Sequence, residues 1–187
     1  MKRLIMCEGA NELEIIRILL AHNRLIFGED ELLGLTPYHA RQITGSGQVR
    51  TELNIYPGND VLIMRIGDAQ KERLKIPEDY KEKIIGIEKY CTKPELEMLF
   101  LIAEGKVAEF EKNKSTVKPK DFAKMHRSLG RKKYDNSTKF YKDYFGARVD
   151  VLVQAILEYK RIKSSHKKEE LYLADLIRLN RVEIEKN

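Results

Sequence analysis

Short unbroken apolar runs alternate with amphipathic stretches over the first hundred residues. Residues 3–7 (RLIMC) form a run with strand length and composition. From Asn11 to Asn23, Leu13, Ile15, Ile16, Ile18, Leu19 and Leu20 mark the broad apolar face of a buried helix. Residues 37–43 predict a second strand, closed by Thr44-Gly45-Ser46-Gly47, and 48–56 a short helix ended by the turn Pro57-Gly58-Asn59. Asp60 to Ile66 is the next strand. A charged loop or short helix follows through Pro77, then a strand over 83–88. Pro94 suits the first position of a helix over 94–103. Strand and helix in regular alternation predict an α/β layer fold, a Rossmannoid core with a mostly parallel sheet of about four strands flanked by helices. From Glu104 onward the strand signals stop. Helices are expected over 119–129, 137–145, 147–162 and 169–180. The chain therefore divides into an α/β core over 1–104 and a basic helical extension over 105–187, packed on that core.

Carboxylates stand where the apolar runs end. Glu8 closes the first strand, and Gly9 turns the chain into a helix whose first turn carries Glu12. Asp68 follows the strand 60–66 in the same way, after Gly67. Glu97, near Glu95, lies inside the apolar helix 94–103, where a carboxylate needs a partner or a metal. Successive parallel strands deliver their carboxyl ends to one edge of a sheet, which is where such folds bind ligands. Carboxylates gathered there must bind cations or repel one another. Hard oxygen donors suit Mg²⁺ or Mn²⁺, which can polarise a phosphate and activate water. The plainer readings are that Glu12 only favours the positive end of its helix and that Glu8 is solvated. The Gly-Ser-Gly loop at 45–47 could cradle a phosphate, but no P-loop lysine accompanies it, and a flexible loop is the expectation. For His22, at the helix end, a structural or surface role is expected.

Charge adds a second theme. The chain of 187 residues carries a net +6, and twelve Lys/Arg face four Asp/Glu between Glu111 and Arg148. That local +8 exceeds the balance of the whole chain, so the remainder is slightly acidic. A basic block beside a carboxylate-bearing block suits holding a polyanion and acting on it; the alternative is a solvated, lysine-rich surface. Tyr134, Tyr141, Tyr144 and Tyr159 are interleaved there and could stack on unpaired bases or pack helices. Cys7 and Cys91 have no metal-ligand or disulfide spacing. No apolar run is long enough for a membrane span, and charges interrupt the N-terminus too early for a secretory signal. A cytoplasmic protein is expected.

The segment Glu8-Gly9-Ala10-Asn11-Glu12, the strand-exit Asp68, and Pro94-Glu95-Leu96-Glu97-Met98-Leu99 together resemble the Toprim superfamily, closest to the RloB-like and abortive-infection Toprim proteins related to OLD-type nucleases. The resemblance covers roughly residues 3–102. It implies a Toprim-like core and a metal-dependent nuclease cleaving phosphodiester bonds in DNA or RNA, in anti-phage defence, with an ABC-type ATPase as a partner. Glu8, Asp68 and Glu97 would hold Mg²⁺ or Mn²⁺, with Glu12 beside them as a fourth catalytic residue. His39, Arg41 or Lys93 would meet the scissile phosphate, and the basic segment, densest at Arg131, Lys132 and Lys133, would hold the nucleic-acid backbone. One departure matters. The superfamily's Asp-x-Asp is here Asp68-Ala69-Gln70. Loss of the second aspartate motivates an alternative: a non-catalytic nucleic-acid-binding or assembly subunit with a degenerate Toprim site.

Overall fold

The computed structural model describes residues 1–67, 73–92, 96–126, 133–163 and 171–179. Two near-continuous apolar runs make the centre of a parallel sheet. β1 (Lys2–Cys7) pairs with β3 (Val61–Gly67) from Lys2↔Val61 to Cys7↔Ile66. β2 (Tyr38–His39) flanks β1, β4 (Ile84–Cys91) flanks β3, and β5 (Leu171–Tyr172) joins β4, giving the order β2-β1-β3-β4-β5 with every pairing parallel. Strands buried on both faces read as solid apolar runs rather than alternating ones, which is why 3–7 and 60–66 stand out in the sequence.

Side-chain alternation splits the sheet residues between two cores. Ile5, Cys7, Met64 and Ile66 face the larger one, which also takes α1 (Ala10–Ala21), α3 (Glu97–Ala103), α6 (Thr138–Phe145) and α7 (Val149–Ile162). Leu4, Met6, Val61 and Ile63 face the smaller one, closed by Val49 and Leu53 of α2 (Gly47–Ile55) and by Tyr80. The larger core runs without a break across residue 104. Phe100 stacks on Tyr134 with ring centroids 5.0 Å apart and meets Phe140 and Tyr144 edge-on. Tyr134, Tyr141, Tyr144 and Tyr159 are all buried, so packing rather than base stacking occupies them. Among the described residues no helix is long and apolar enough to cross a membrane.

Several elements differ from the sequence reading. The strand expected over 37–43 is confined to Tyr38–His39. Ala40 N–H still reaches Cys7 O at 3.0 Å, after which Ile43 turns into the smaller core. The Gly45-Ser46-Gly47 loop starts α2, where Ser46 Oγ accepts from Val49 N–H at 3.3 Å; this is an ordinary helix cap. The helix expected over 169–180 is replaced by β5 and a 3-10 turn, Leu173–Leu176, within the described residues. Asp175 Oδ2 accepts from Tyr172 N–H at 2.8 Å, while Leu171 and Tyr172 pair with Tyr90 and Cys91. The exposed edge of β4 thus outcompetes a weak helical pattern. α4 (Val107–Asn113) and α5 (Pro119–Met125) complete the helices named here. His22 Nε2 lies 3.0 Å from Gly146 O, a structural tie between α1 and the end of α6.

Candidate carboxylate site at the carboxyl edge of the sheet

The strand ends are in register where the carboxylates emerge. Glu8 N–H donates to Ile66 O at 2.8 Å, and Thr92 N–H donates to Gly67 O at 3.1 Å. This continues both ladders past the last strand residues and sets Glu8, Gly67 and Thr92 side by side. Glu8 leans across Gly67 so closely that a Cβ on Gly67 would lie 2.5 Å from Glu8 Cβ and closer still to Glu8 Oε2. Asp68 follows Gly67 directly in the chain but lies outside the described residues, as do Glu95, Gln70, Lys93, Arg131 and Lys132.

Glu12 folds back over the other glycine. A Cβ at Gly9 would collide with Glu12 Oε2, and Glu12 Oε1 accepts from the Thr92 hydroxyl at 3.4 Å. Both glycines in this neighbourhood therefore vacate volume that a glutamate fills. Arg41 Nε donates to Glu8 O at 3.3 Å, which brings one of the expected phosphate ligands to this edge. His39 is exposed on β2, opposite Cys7.

A polar cleft of ≈ 210 Å³ opens beside this edge. Glu12 and Thr92 line it from the sheet side, and Glu97, on the first turn of α3, from the other. Only 5% of Glu97 is exposed. The remaining polar wall comes from beyond residue 104. Asn136, held at a left-handed φ of 61°, takes the amide orientation that satisfies its surroundings. Its N–H₂ then donates to Glu97 Oε1 at 3.2 Å and to Tyr134 Oη at 2.7 Å, and its oxygen accepts from Lys120 Nζ at 3.1 Å. Asn11 ties this wall to α1, donating from Nδ2 to Asn136 O at 3.1 Å and accepting from Thr138 Oγ1 at 3.0 Å.

Electrostatics follow from this crowding. Burial, then Tyr134, then the Glu97 carboxylate push the Tyr141 hydroxyl well above its ordinary range, so it stays neutral beneath the cleft. Cys7 is likewise pushed far up, by burial first and by Glu12 second. It is an inert core thiol rather than a nucleophile.

The structure thus gathers Glu8, Glu12, Glu97 and Arg41 at one edge, with Glu12 and Glu97 sharing the cleft. Lys133 is exposed in the basic segment, apart from the cleft lining. Among the described residues no three His, Cys, Asp or Glu side chains come close enough together to hold a metal; the expected trio includes Asp68. Among the described residues the lining offers carboxylate, hydroxyl and amide oxygens, with neither imidazole nor thiolate. That chemistry fits Mg²⁺ or Mn²⁺. Asn11, Lys120 and Asn136 escape a sequence reading because none lies at a strand exit or in an apolar run, and Thr92 escapes it because the strand expected over 83–88 runs on to Cys91. Asn136, next to the helix cap Ser137, carries the only signal, since asparagine tolerates left-handed backbone. Compared with known proteins, the chain matches no family model, no curated protein and no solved structure.

Proposed function

We propose that this protein is a Mg²⁺- or Mn²⁺-dependent nuclease of the Toprim type, cleaving phosphodiester bonds in DNA or RNA. One observation carries the reading: Glu12 and Glu97, 85 positions apart in the chain, converge on one oxygen-lined cleft beside the Glu8–Gly67 contact. Two carboxylates sharing a cleft that also holds a lysine suit a cation and the phosphate it polarises. Glu12 and Glu97, with Glu8 and Asp68 on the adjoining edge, would hold the metal. When bound it would supply Lewis-acid polarisation of the phosphate and a lowered pKa for an attacking water. Thr92 orients Glu12, and Asn136 orients Glu97 while holding Lys120 at the mouth. Arg41 and Lys120 would take the non-bridging phosphate oxygens, and the basic segment the flanking backbone. A role in anti-phage defence alongside an ABC-type ATPase belongs to the same proposal, on the resemblance alone.

The test is cleavage of labelled single-stranded and duplex DNA and RNA with Mn²⁺, Mg²⁺ or EDTA. Metal-dependent turnover, lost in Glu12→Gln and Glu97→Gln variants that melt like the wild type, supports the reading. Nucleic-acid binding without turnover would favour the assembly-subunit alternative that Gln70 motivates. Equal cleavage by wild type and both variants would remove the cleft from the chemistry.

A further inference from the structure

Two orientations are open to the Asn136 amide, and its neighbours favour them differently. In the one described above, the nitrogen donates to Glu97 Oε1 at 3.2 Å and to Tyr134 Oη at 2.7 Å, while the oxygen accepts from Lys120 Nζ at 3.1 Å. Turned end for end, the amide exchanges these two atoms. Its oxygen then accepts from the Tyr134 hydroxyl at 2.7 Å and from Asn11 Nδ2 at 3.3 Å. Tyr134 serves both orientations, because a hydroxyl can donate or accept. Tyr141 Oη lies 2.8 Å from Tyr134 Oη and can take either side of that bond, so the pair reverses direction together. The choice therefore falls to Glu97 and Lys120. Turning over sets an amide oxygen against a carboxylate oxygen and an amide N–H₂ against an ammonium, and that orientation loses unless a cation joins the two oxygens.

The spacing suits such a cation. Two oxygens at right angles on one octahedral Mg²⁺, each at ~2.1 Å, lie about 3.0 Å apart. The amide position that faces Glu97 is 3.2 Å from Oε1, close to the separation of adjacent ligands. Carbonyl oxygens are donors of the hard type that Mg²⁺ and Mn²⁺ take, and a neutral one adds no repulsion among the carboxylates. The rest of Asn136 is tied down. Its backbone O accepts from Asn11 Nδ2 at 3.1 Å, and Ser137 behind it caps α6. Turning the amide asks for little else to move.

We infer that the Asn136 side-chain oxygen ligates the same cation as Glu97, reached by turning the amide over, and that this movement releases Lys120 toward the substrate phosphate. The inference rests on the metal-dependent reading of the cleft. Lys120 is exposed, and its one hydrogen bond among the described residues is to that amide oxygen. Once the amide turns, the ammonium has all three protons for another acceptor. Metal and phosphate then bind cooperatively, and by reciprocity each raises the affinity of the other. An amide that merely orients Glu97 would keep its nitrogen on Oε1 throughout.

The test titrates Mg²⁺ calorimetrically onto the full chain and onto Asn136→Gly, Lys120→Met and the double variant. Glycine suits the left-handed backbone at this position, so the substitution removes the amide without straining the turn. We expect Asn136→Gly to weaken Mg²⁺ binding at least tenfold. Lys120→Met removes a positive charge in either background, and where Asn136 is present it also removes the bond that holds the amide in its first orientation. It should therefore raise affinity at least about threefold more with Asn136 than with glycine, the worth of one hydrogen bond. In protein carrying isotope-labelled asparagine, Mg²⁺ should shift the Asn136 Cγ resonance downfield, because coordination through oxygen draws electrons from the carbonyl carbon. Absence of saturable Mg²⁺ or Mn²⁺ binding by the wild type would overturn the metal reading and this inference with it. Wild-type affinity in a folded Asn136→Gly variant, additive effects of the two substitutions, or an unmoved Cγ resonance on binding would overturn the inference alone. If Asn136→Gly does not fold, the resonance decides.

Discussion

Replacing Gly67 with alanine tests the packing on which the candidate site rests. The new Cβ would lie 2.5 Å from Glu8 Cβ, against roughly 3.5–4.0 Å for carbon atoms in comfortable contact. At least about 1 Å of movement is therefore needed. Glu8 Cβ is attached to a backbone held by the Ile66 hydrogen bond, so a rotamer change does not relieve the clash. Overpacking of this type costs about 1–3 kcal/mol. For a chain of this size that is a fall in Tm of roughly 2–12 °C, at 2–4 °C per kcal/mol. Glu8→Gly removes both colliding groups. In a double-mutant cycle the pair should be less destabilised than the sum of the single variants, with a coupling of at least about 1 kcal/mol. Differential scanning calorimetry on the four proteins supplies the numbers. If Gly67→Ala melts within about 1 °C of the wild type, or the two substitutions simply add, Glu8 does not sit across Gly67 and the geometry of the edge is wrong.

Other perturbations probe the remaining claims. If the cleft binds Mn²⁺, metal at a hundred times its Kd should add about 2.7 kcal/mol of stability, and Glu97→Gln should abolish that gain; an equal gain in the variant would place the ion elsewhere. Replacing Arg131, Lys132 and Lys133 together with alanine should weaken nucleic-acid binding and flatten the dependence of log K on log salt, whereas an unchanged slope would mean that this run is merely solvated. The Gly28 N–H first, and the Arg3 guanidinium with it, hold the Glu31 carboxyl below its usual 4.5. The stability this contributes is complete above that value and is lost as pH falls through the lowered folded-state pKa. Glu31→Gln should therefore flatten the acid limb of a urea-midpoint profile, and an acid limb identical to the wild type would count against the contact.

How legible the molecule is depends on the range of the forces that shape each part. β1, β3 and α1 are plain in the sequence because Leu4, Ile5, Ile63 and Met64 are buried on both faces of the sheet and need no partner to be recognised. Glu8, Glu12 and Glu97 are visible for the complementary reason, as carboxylates set in apolar surroundings. β5 is invisible because two residues, Leu171 and Tyr172, become a strand only when β4 offers an edge. α4 is missed because Val107 and Phe110 alone give it little apolar periodicity. The polar wall of the cleft is hidden for a similar reason. Lys120 and Asn136 acquire meaning only when α5 folds against α3 and α6 against α1, more than 100 positions from the glutamates of the first segment.

The placement of Asn136 also bears on how such a chain could change over descent. A domain that merely leans on its neighbour can be exchanged for another by recombination at the joint. Here a cut near residue 104 would separate Glu97 from the amide that orients it and strip Phe100 of Tyr134, Phe140 and Tyr144. Exchange of the helical part alone would therefore disturb both the cleft and the larger core. A substitution in its polar wall therefore reaches the glutamate that this wall orients, through the contacts that join the two parts.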